Sequence, residues 1–347
     1  MLTPARFVIV VSVLLCFGVV LALGLRTGDS ANAVVVYTSV DAEYAIPVFD
    51  KFTKQTGIKV IYHTDSEATK TTGMAQRLMQ MKDAPDGDVF WNSELSFTQL
   101  LAKEGALESY ASPAAKSIPE TFKDKQNRWA GFGCRARVLI FNTDKIKRDD
   151  VPKTLEGLAD RKFKNRICIA KPLFGTTRSH LVGLVIALGE ERAFKLFRAW
   201  RENGVTLVES NGDVRNRVVD GLFDIGLTDS DDAFSALDRK KPVDFFVPDQ
   251  TDELSGAFLI PNTVSMLKNC KHPAMAKTFI DFLLSEETEK MLAENGARQI
   301  PVRPLQINAL PEALRNLKPV VIDLEKMPEL TLSMAEKIYR VLSGETP

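Results

Sequence analysis

Three aspartates, Asp229, Asp231 and Asp232, fall within the segment GLFDIGLTDSDDA. They directly follow a strand-like run, Asp224 to Leu227, where open α/β sheets carry their binding loops. Carboxylates this close repel one another and raise each other's pKa unless a cation or backbone N–H groups satisfy them. An all-oxygen, high-charge site suits hard cations such as Fe³⁺, Ca²⁺, Mn²⁺ or Mg²⁺, and an organic ammonium group fits the same carboxylates. The same residues would also cap a helix over Ala233 to Leu237, since Asp and Ser are favoured at helix starts. One cap accounts for one or two of them, not for all three.

Other polar groups are spaced for a charged ligand. Arg135 and Arg137 alternate on a strand and share one face, where a guanidinium holds a carbonate, phosphate or phosphonate bidentately or else forms an ion pair within the protein. In KPLFGTTRSH, a loop at Gly175, Thr176 and Thr177 opens an apolar helix, Leu181 to Leu188. Its N–H groups and hydroxyls favour an anion or simply cap the helix, and Arg178 is a further anion candidate. The loop His63 to Gly73 adds Glu67 and Thr71, with Asp65, Thr69 and Thr72, at the end of a strand. Trp91 is a packing residue or a face for an ammonium.

The elements that must position these groups follow from periodicity. Val34 to Tyr37 reads as a buried strand, followed by a helix with Ile46, Val48, Phe49 and Phe52 on one face that stops near Gly57. Strands are expected at Ile58 to Tyr62, Asp88 to Trp91, Arg128 to Asn142, Arg166 to Ala170, Val205 to Glu209 and Gly256 to Met266. Helices are expected over Thr71 to Met81, Leu95 to Leu101, a single long one from Pro273 to Glu294, and Leu330 to Leu342. Strands alternating with helices imply a largely parallel, doubly wound α/β sheet.

Composition narrows the function. With 45 basic and 45 acidic side chains, no excess of positive charge points to nucleic acid. Arg6 followed by the apolar run Phe7 to Leu25 fits a signal peptide or a retained membrane anchor; Ala31-Asn32-Ala33 supplies a cleavage pattern that would make Val34 the mature start. Outside that run three cysteines remain, Cys134, Cys168 and Cys270, an odd count that cannot pair fully. Cys134 and Cys168 bridge if their strands are neighbours, and otherwise pack as small apolar residues. No nucleophile elbow, Walker loop, HExxH or Cys/His pairing is present, so no enzyme is expected.

VVVYTSVDAEYAIPVFDKFTKQTGIKV, GFGCRARVLIFNT and HPAMAKTFIDFLLSEETEKMLAENGARQIPVRP together resemble the extracellular solute-binding proteins of ABC importers, specifically the ferric-iron-binding branch. The resemblance implies a two-lobed α/β fold of the type II periplasmic-binding kind, with two crossover hinge strands and ligand trapped by hinge closure. On it, residues 1–33 are the signal peptide or anchor, 34–132 and 248–304 lobe one, 133–247 lobe two, and 305–347 a C-terminal helical segment. It also implies a cleft ligand set. Asp41 or Glu43 stands where relatives use a histidine, Glu94 where they use a carboxylate, and Asp231 and Asp232 where they carry adjacent tyrosines. An arginine of the Arg135–Arg137 region would hold a synergistic anion.

The expected function is therefore capture of a hard cation, foremost Fe³⁺ as transported ligand, with Asp41, Glu94, Asp229, Asp231 and Asp232 as metal ligands and no organic cofactor. The expected partners are an ABC permease and its ATPase, and the expected state is a periplasmic monomer. An aminophosphonate or polyamine is the alternative ligand, and a membrane-anchored sensor or adaptor the alternative role.

Overall fold

A run apolar on both faces must be covered on both sides, and AVVVYT forms the interior strand β1, Ala33–Thr38, buried along most of its length. It pairs in parallel with β2 (Lys59–His63) and with β3 (Val89–Asn92). Between β1 and β2, helix α1 (Ala42–Thr56) buries Tyr44, Val48, Phe49 and Phe52, and ends on Gly57 in the left-handed conformation, as glycine C-caps commonly do. Helices α2 (Lys70–Gln80) and α3 (Ser96–Lys103) flank β3 in sequence, and the short β4 (Leu107–Glu108) follows. This computed structural model describes residues 32–64, 70–250, 256–320 and 322–345.

The thirteen residues of β5, Ala130–Asn142, are all buried, because this one strand serves two sheets. Its first half pairs antiparallel with β10 (Leu259–Leu267), and its second half with β8 (Ile225–Asp229) and β9 (Val243–Phe246). On one side the strand order is β2-β1-β3-β10-β5, with β4 also on β10. On the other it continues β8-β6-β7, where β6 is Ile167–Ala170 and β7 is Thr206–Val208. The sheet is thus mixed: the outer pairs are parallel, and the strands that join the two halves run antiparallel. At a register shift within the β5–β10 pairing Gly133 has φ +49°, and a Cβ there would lie 2.6 Å from Oε1 of Gln299, so glycine is strongly favoured.

The second half is covered by α4 (Gly175–Leu188), α5 (Glu190–Glu202), α6 (Asn211–Val219) and α7 (Ser230–Asp238). The C-terminal helix α11 (Met327–Ser343), which follows the one-turn α10 (Glu312–Arg315), shares a core with α4 and α5 through Met334, Ile338 and Leu342.

Three expectations need correction. The helix expected over Pro273 to Glu294 is two, α8 (Pro273–Leu283) and α9 (Glu286–Glu294), because the Ser285 hydroxyl accepts from Thr288 N and starts a new helix. Thr176 and Thr177 are not in a loop but in the first turn of α4. Cys134 and Cys168 do not pair: β8 separates their strands, and both are buried free thiols. The run Phe7 to Leu25 lies outside the described residues, and among those described no helix is long and apolar enough to cross a membrane.

Candidate metal and anion site

Strand β8 ends on Asp229, which is the N-cap residue of α7, so Asp231 and Asp232 fall in the first turn of that helix. Negative charge is favoured at this position by the helix dipole, which offsets part of the repulsion among the three groups. One oxygen from each of Asp229, Asp231 and Asp232 lies within 4.8 Å of the others, near enough for a single ion to touch all three. They face a cleft of about 120 Å³ that is also lined by Asp41, Ser39 and Ser93 from the β1 side and by Thr176 and Asn211.

Both strand arginines face these carboxylates. Arg135 Nε donates to Asp231 Oδ2 at 2.6 Å, and its Nη1 donates to the carbonyl of Ser93 at 2.7 Å, tying the two sheet halves together. Arg137 Nη1 donates to Asp229 Oδ1 at 2.6 Å. The other Asp229 oxygen accepts from the Thr176 hydroxyl at 2.5 Å and from Asn211 Nδ2 at 3.2 Å. Thr177 donates to Asn211 Oδ1 at 3.0 Å, so α4, α6 and β8 meet in one hydrogen-bonded network. Asp232 accepts from the Thr228 hydroxyl at 2.8 Å and has Arg215 3.6 Å away.

Burial sets the charges. It pushes the Asp231 carboxyl above the usual carboxylate range; Arg135 pulls the other way, while Asp229 and Asp41 add to the rise. Asp232 is pushed up to about 8 by burial and then by Asp231 and Asp229. Arg135 remains charged, because Asp231, Asp229 and Asp41 outweigh its own desolvation. The phenol of Tyr44 is pushed well above its ordinary value, first by burial and then by Asp231, Glu43, Asp41 and Asp232. That dependence places the Tyr44 ring within the field of the acidic cluster.

The expected residues divide accordingly. Asp41, Arg135, Thr176, Thr177, Asp229, Asp231 and Asp232 line the cleft, and Arg137 supports it from behind. Glu94 does not reach it. Its oxygens accept from the N–H groups of Ser96 and Phe97 at 2.6 and 3.1 Å and from the Ser179 hydroxyl at 2.6 Å, and the side chain is fully buried. Glu94 therefore holds the start of α3, and its neighbour Ser93 takes the place on the cleft wall. Glu43 lies exposed on α1 and is not part of the lining. Glu67 lies outside the described residues, as does the side chain of Thr71. The arginines hold protein carboxylates where an anion was expected. Asn211 was missed; its position at a helix start directly after a strand was the available signal.

The profile of the bacterial extracellular solute-binding proteins matches residues 88–329. The chain belongs to this family. As a solute-binding protein it is similar to the major ferric iron-binding protein of Neisseria meningitidis, with 26% identity over 335 residues, 93% of this chain and 96% of the relative. It is also similar to iron uptake protein A1 of Synechocystis, with 25% identity over 81% of this chain and 79% of the relative. The fold matches iron-bound HitA of Pseudomonas aeruginosa (TM-score 0.78, 22% identity, 89% of this chain and 99% of that one). It equally matches AfuA of Actinobacillus pleuropneumoniae with fructose-6-phosphate bound (TM-score 0.75, 22% identity, 91% and 98%).

Proposed function

We propose that this solute-binding protein captures Fe³⁺ in the periplasm and delivers it to an ABC permease driven by its ATPase. The observation that carries the reading is the convergence of Asp229, Asp231 and Asp232 oxygens within 4.8 Å at the cleft. Two features of the site favour a hard trivalent ion: the donors are all oxygen, and the Asp231 and Asp232 carboxyls are raised by burial and then by neighbouring carboxylates, whose repulsion a cation would relieve. Asp41 closes on the ion from the opposite wall. Thr176, Thr177 and Asn211 at the starts of α4 and α6 receive a small anion that completes the coordination, since N–H groups at helix starts favour negative charge. The similarity to named ferric-binding relatives supports the choice of cargo.

One observation favours a second ligand. Asp229 and Asp231 already have arginine partners, which lowers the net negative charge offered to an ion. A small solute with an amine facing the acidic cluster and an acid group facing the start of α4 suits a cleft of reduced net charge. Aminophosphonates and polyamines represent this class.

Equilibrium dialysis of the chelator-stripped protein against nitrilotriacetate-buffered Fe³⁺ tests the choice. The ferric reading predicts one ion per chain, lost in Asp231→Asn and Asp232→Asn. Retention of iron by both variants, or no uptake with binding of 2-aminoethylphosphonate instead, would reject it.

A further inference from the structure

Glu94, which does not reach the cleft, reaches across the molecule instead. It follows β3 in one sheet half and is fully buried, and its contacts extend to α4, which covers the other half. Oε2 accepts from the Ser179 hydroxyl at 2.6 Å, and Arg178 Nη2 lies 3.5 Å from Oε1. Arg178 also donates to the Ser96 hydroxyl at 3.2 Å, and its guanidinium sits 3.9 Å over the ring of Phe97. Ser96 and Phe97 begin α3, and their N–H groups are held by the same carboxylate. Arg178 and Ser179, each only 1% exposed, directly follow Thr176 and Thr177, which face the cleft. The start of α4 therefore meets the cleft on one side and Glu94 of the opposite half on the other.

We propose that Glu94 is a positioning residue that latches α4 to α3 across the two halves, and so sets the cleft wall that carries Thr176 and Thr177. Thr176 and Asp41 face the cleft from opposite halves, so its width follows from the same setting. Parting the halves returns the carboxylate and the guanidinium to water together. Deleting the carboxylate alone leaves Arg178 buried without its counter-charge, which is costly. Burial lowers Arg178 to about 10, with Glu94 opposing the fall, so the guanidinium keeps its charge at neutral pH. The halves relieve that cost by moving apart about β5, the strand that both share. The inference rests on the cleft being the solute site, but it concerns the ligand-free protein and holds whichever solute is taken.

Double electron–electron resonance on ligand-free protein measures the distance between the halves. Nitroxide labels go on Lys54→Cys in α1 and Asn216→Cys in α6, both exposed positions, in a Cys16→Ser, Cys270→Ser background; Cys134 and Cys168 are buried. The parent protein should give one narrow distribution. Glu94→Gln should add a second, separate population. Ser179→Ala keeps Glu94 on α3 and removes only a bond across the halves; it should shift the ratio of the two populations by about tenfold, as loss of one buried hydrogen bond implies. A carboxylate that merely capped α3 would lower the melting temperature of Glu94→Gln and leave the distance unchanged. Distributions like the parent's in both variants would overturn the proposal, and if Glu94→Gln does not fold, Ser179→Ala decides alone. Failure to take up Fe³⁺ would reject the cargo and not the latch, because no ligand enters this measurement.

Discussion

At the scale of single residues, the cleft is an arrangement of buried charges that hold one another. Arg135 and Asp231 are both nearly inaccessible and lie 2.6 Å apart. Removing one partner leaves the other buried and uncompensated, at a cost of about 3–5 kcal/mol. Arg135→Ala should therefore lower the denaturant midpoint strongly, and adding Asp231→Asn should restore much of it; additive losses in the double variant would contradict the pairing. Asp232 predicts a pH effect of definite sign. Its carboxyl titrates near 4 in an unfolded chain and near about 8 in the fold, so the folded state binds the extra proton. Its contribution to stability is complete below pH 4 and is lost as pH rises through about 8. Urea melts of the ligand-free protein between these limits should show stability falling with pH, and Asp232→Asn should flatten the slope. The acidic triad was legible because three like charges in four residues need an explanation wherever they fold. Glu94 was misplaced by one position, because a sequence cannot distinguish the residue that caps α3 from the one beside it that faces the cleft. Asn211 carried only its place at a helix start shortly after a strand, and its role arises when α6 is brought against α4 and β8.

At the scale of elements, β5 is the part on which the geometry depends. Its length, with alternating and then continuous apolar positions, marked it as a strand that crosses between two halves, and it pairs with β10 at one end and β8 at the other. At the register shift within the β5–β10 pairing, the N–H of Gly133 donates to Glu289 Oε1 at 2.9 Å, and Glu289 is paired in turn with Arg303 at 2.6 Å. Gly133→Ala would place a side chain at φ +49° and against Gln299. The left-handed conformation alone costs about 1–2 kcal/mol for a residue with a Cβ, which should lower the melting temperature by several degrees in scanning fluorimetry. An unchanged melting temperature would show that the backbone at this register shift is looser than described. The division of α8 from α9 was hidden in the sequence, because apolar spacing continues across Ser285 and only the hydroxyl's bond to Thr288 ends one helix and begins the next.

At the scale of the whole molecule, two sheet halves share one long strand, and the cleft between them receives Asp41 and Ser93 from one side and the aspartate triad from the other. The resemblance in three ordered segments made this architecture readable, and family membership follows from the match over residues 88–329. What remained out of reach was the state of each charged side chain, since an arginine pattern suited to an anion serves equally well to hold Asp229 and Asp231. A ligand held at a thousand times its dissociation constant adds about 4 kcal/mol to stability, so Fe³⁺ should raise the melting temperature of the native protein and not that of Asp231→Asn. The most direct measurement is an anomalous difference map at the iron absorption edge from crystals grown with Fe³⁺. The account predicts a single strong peak in contact with carboxylate oxygens of Asp229, Asp231 and Asp232; a peak elsewhere, or none in crystals grown at saturating iron, would contradict it.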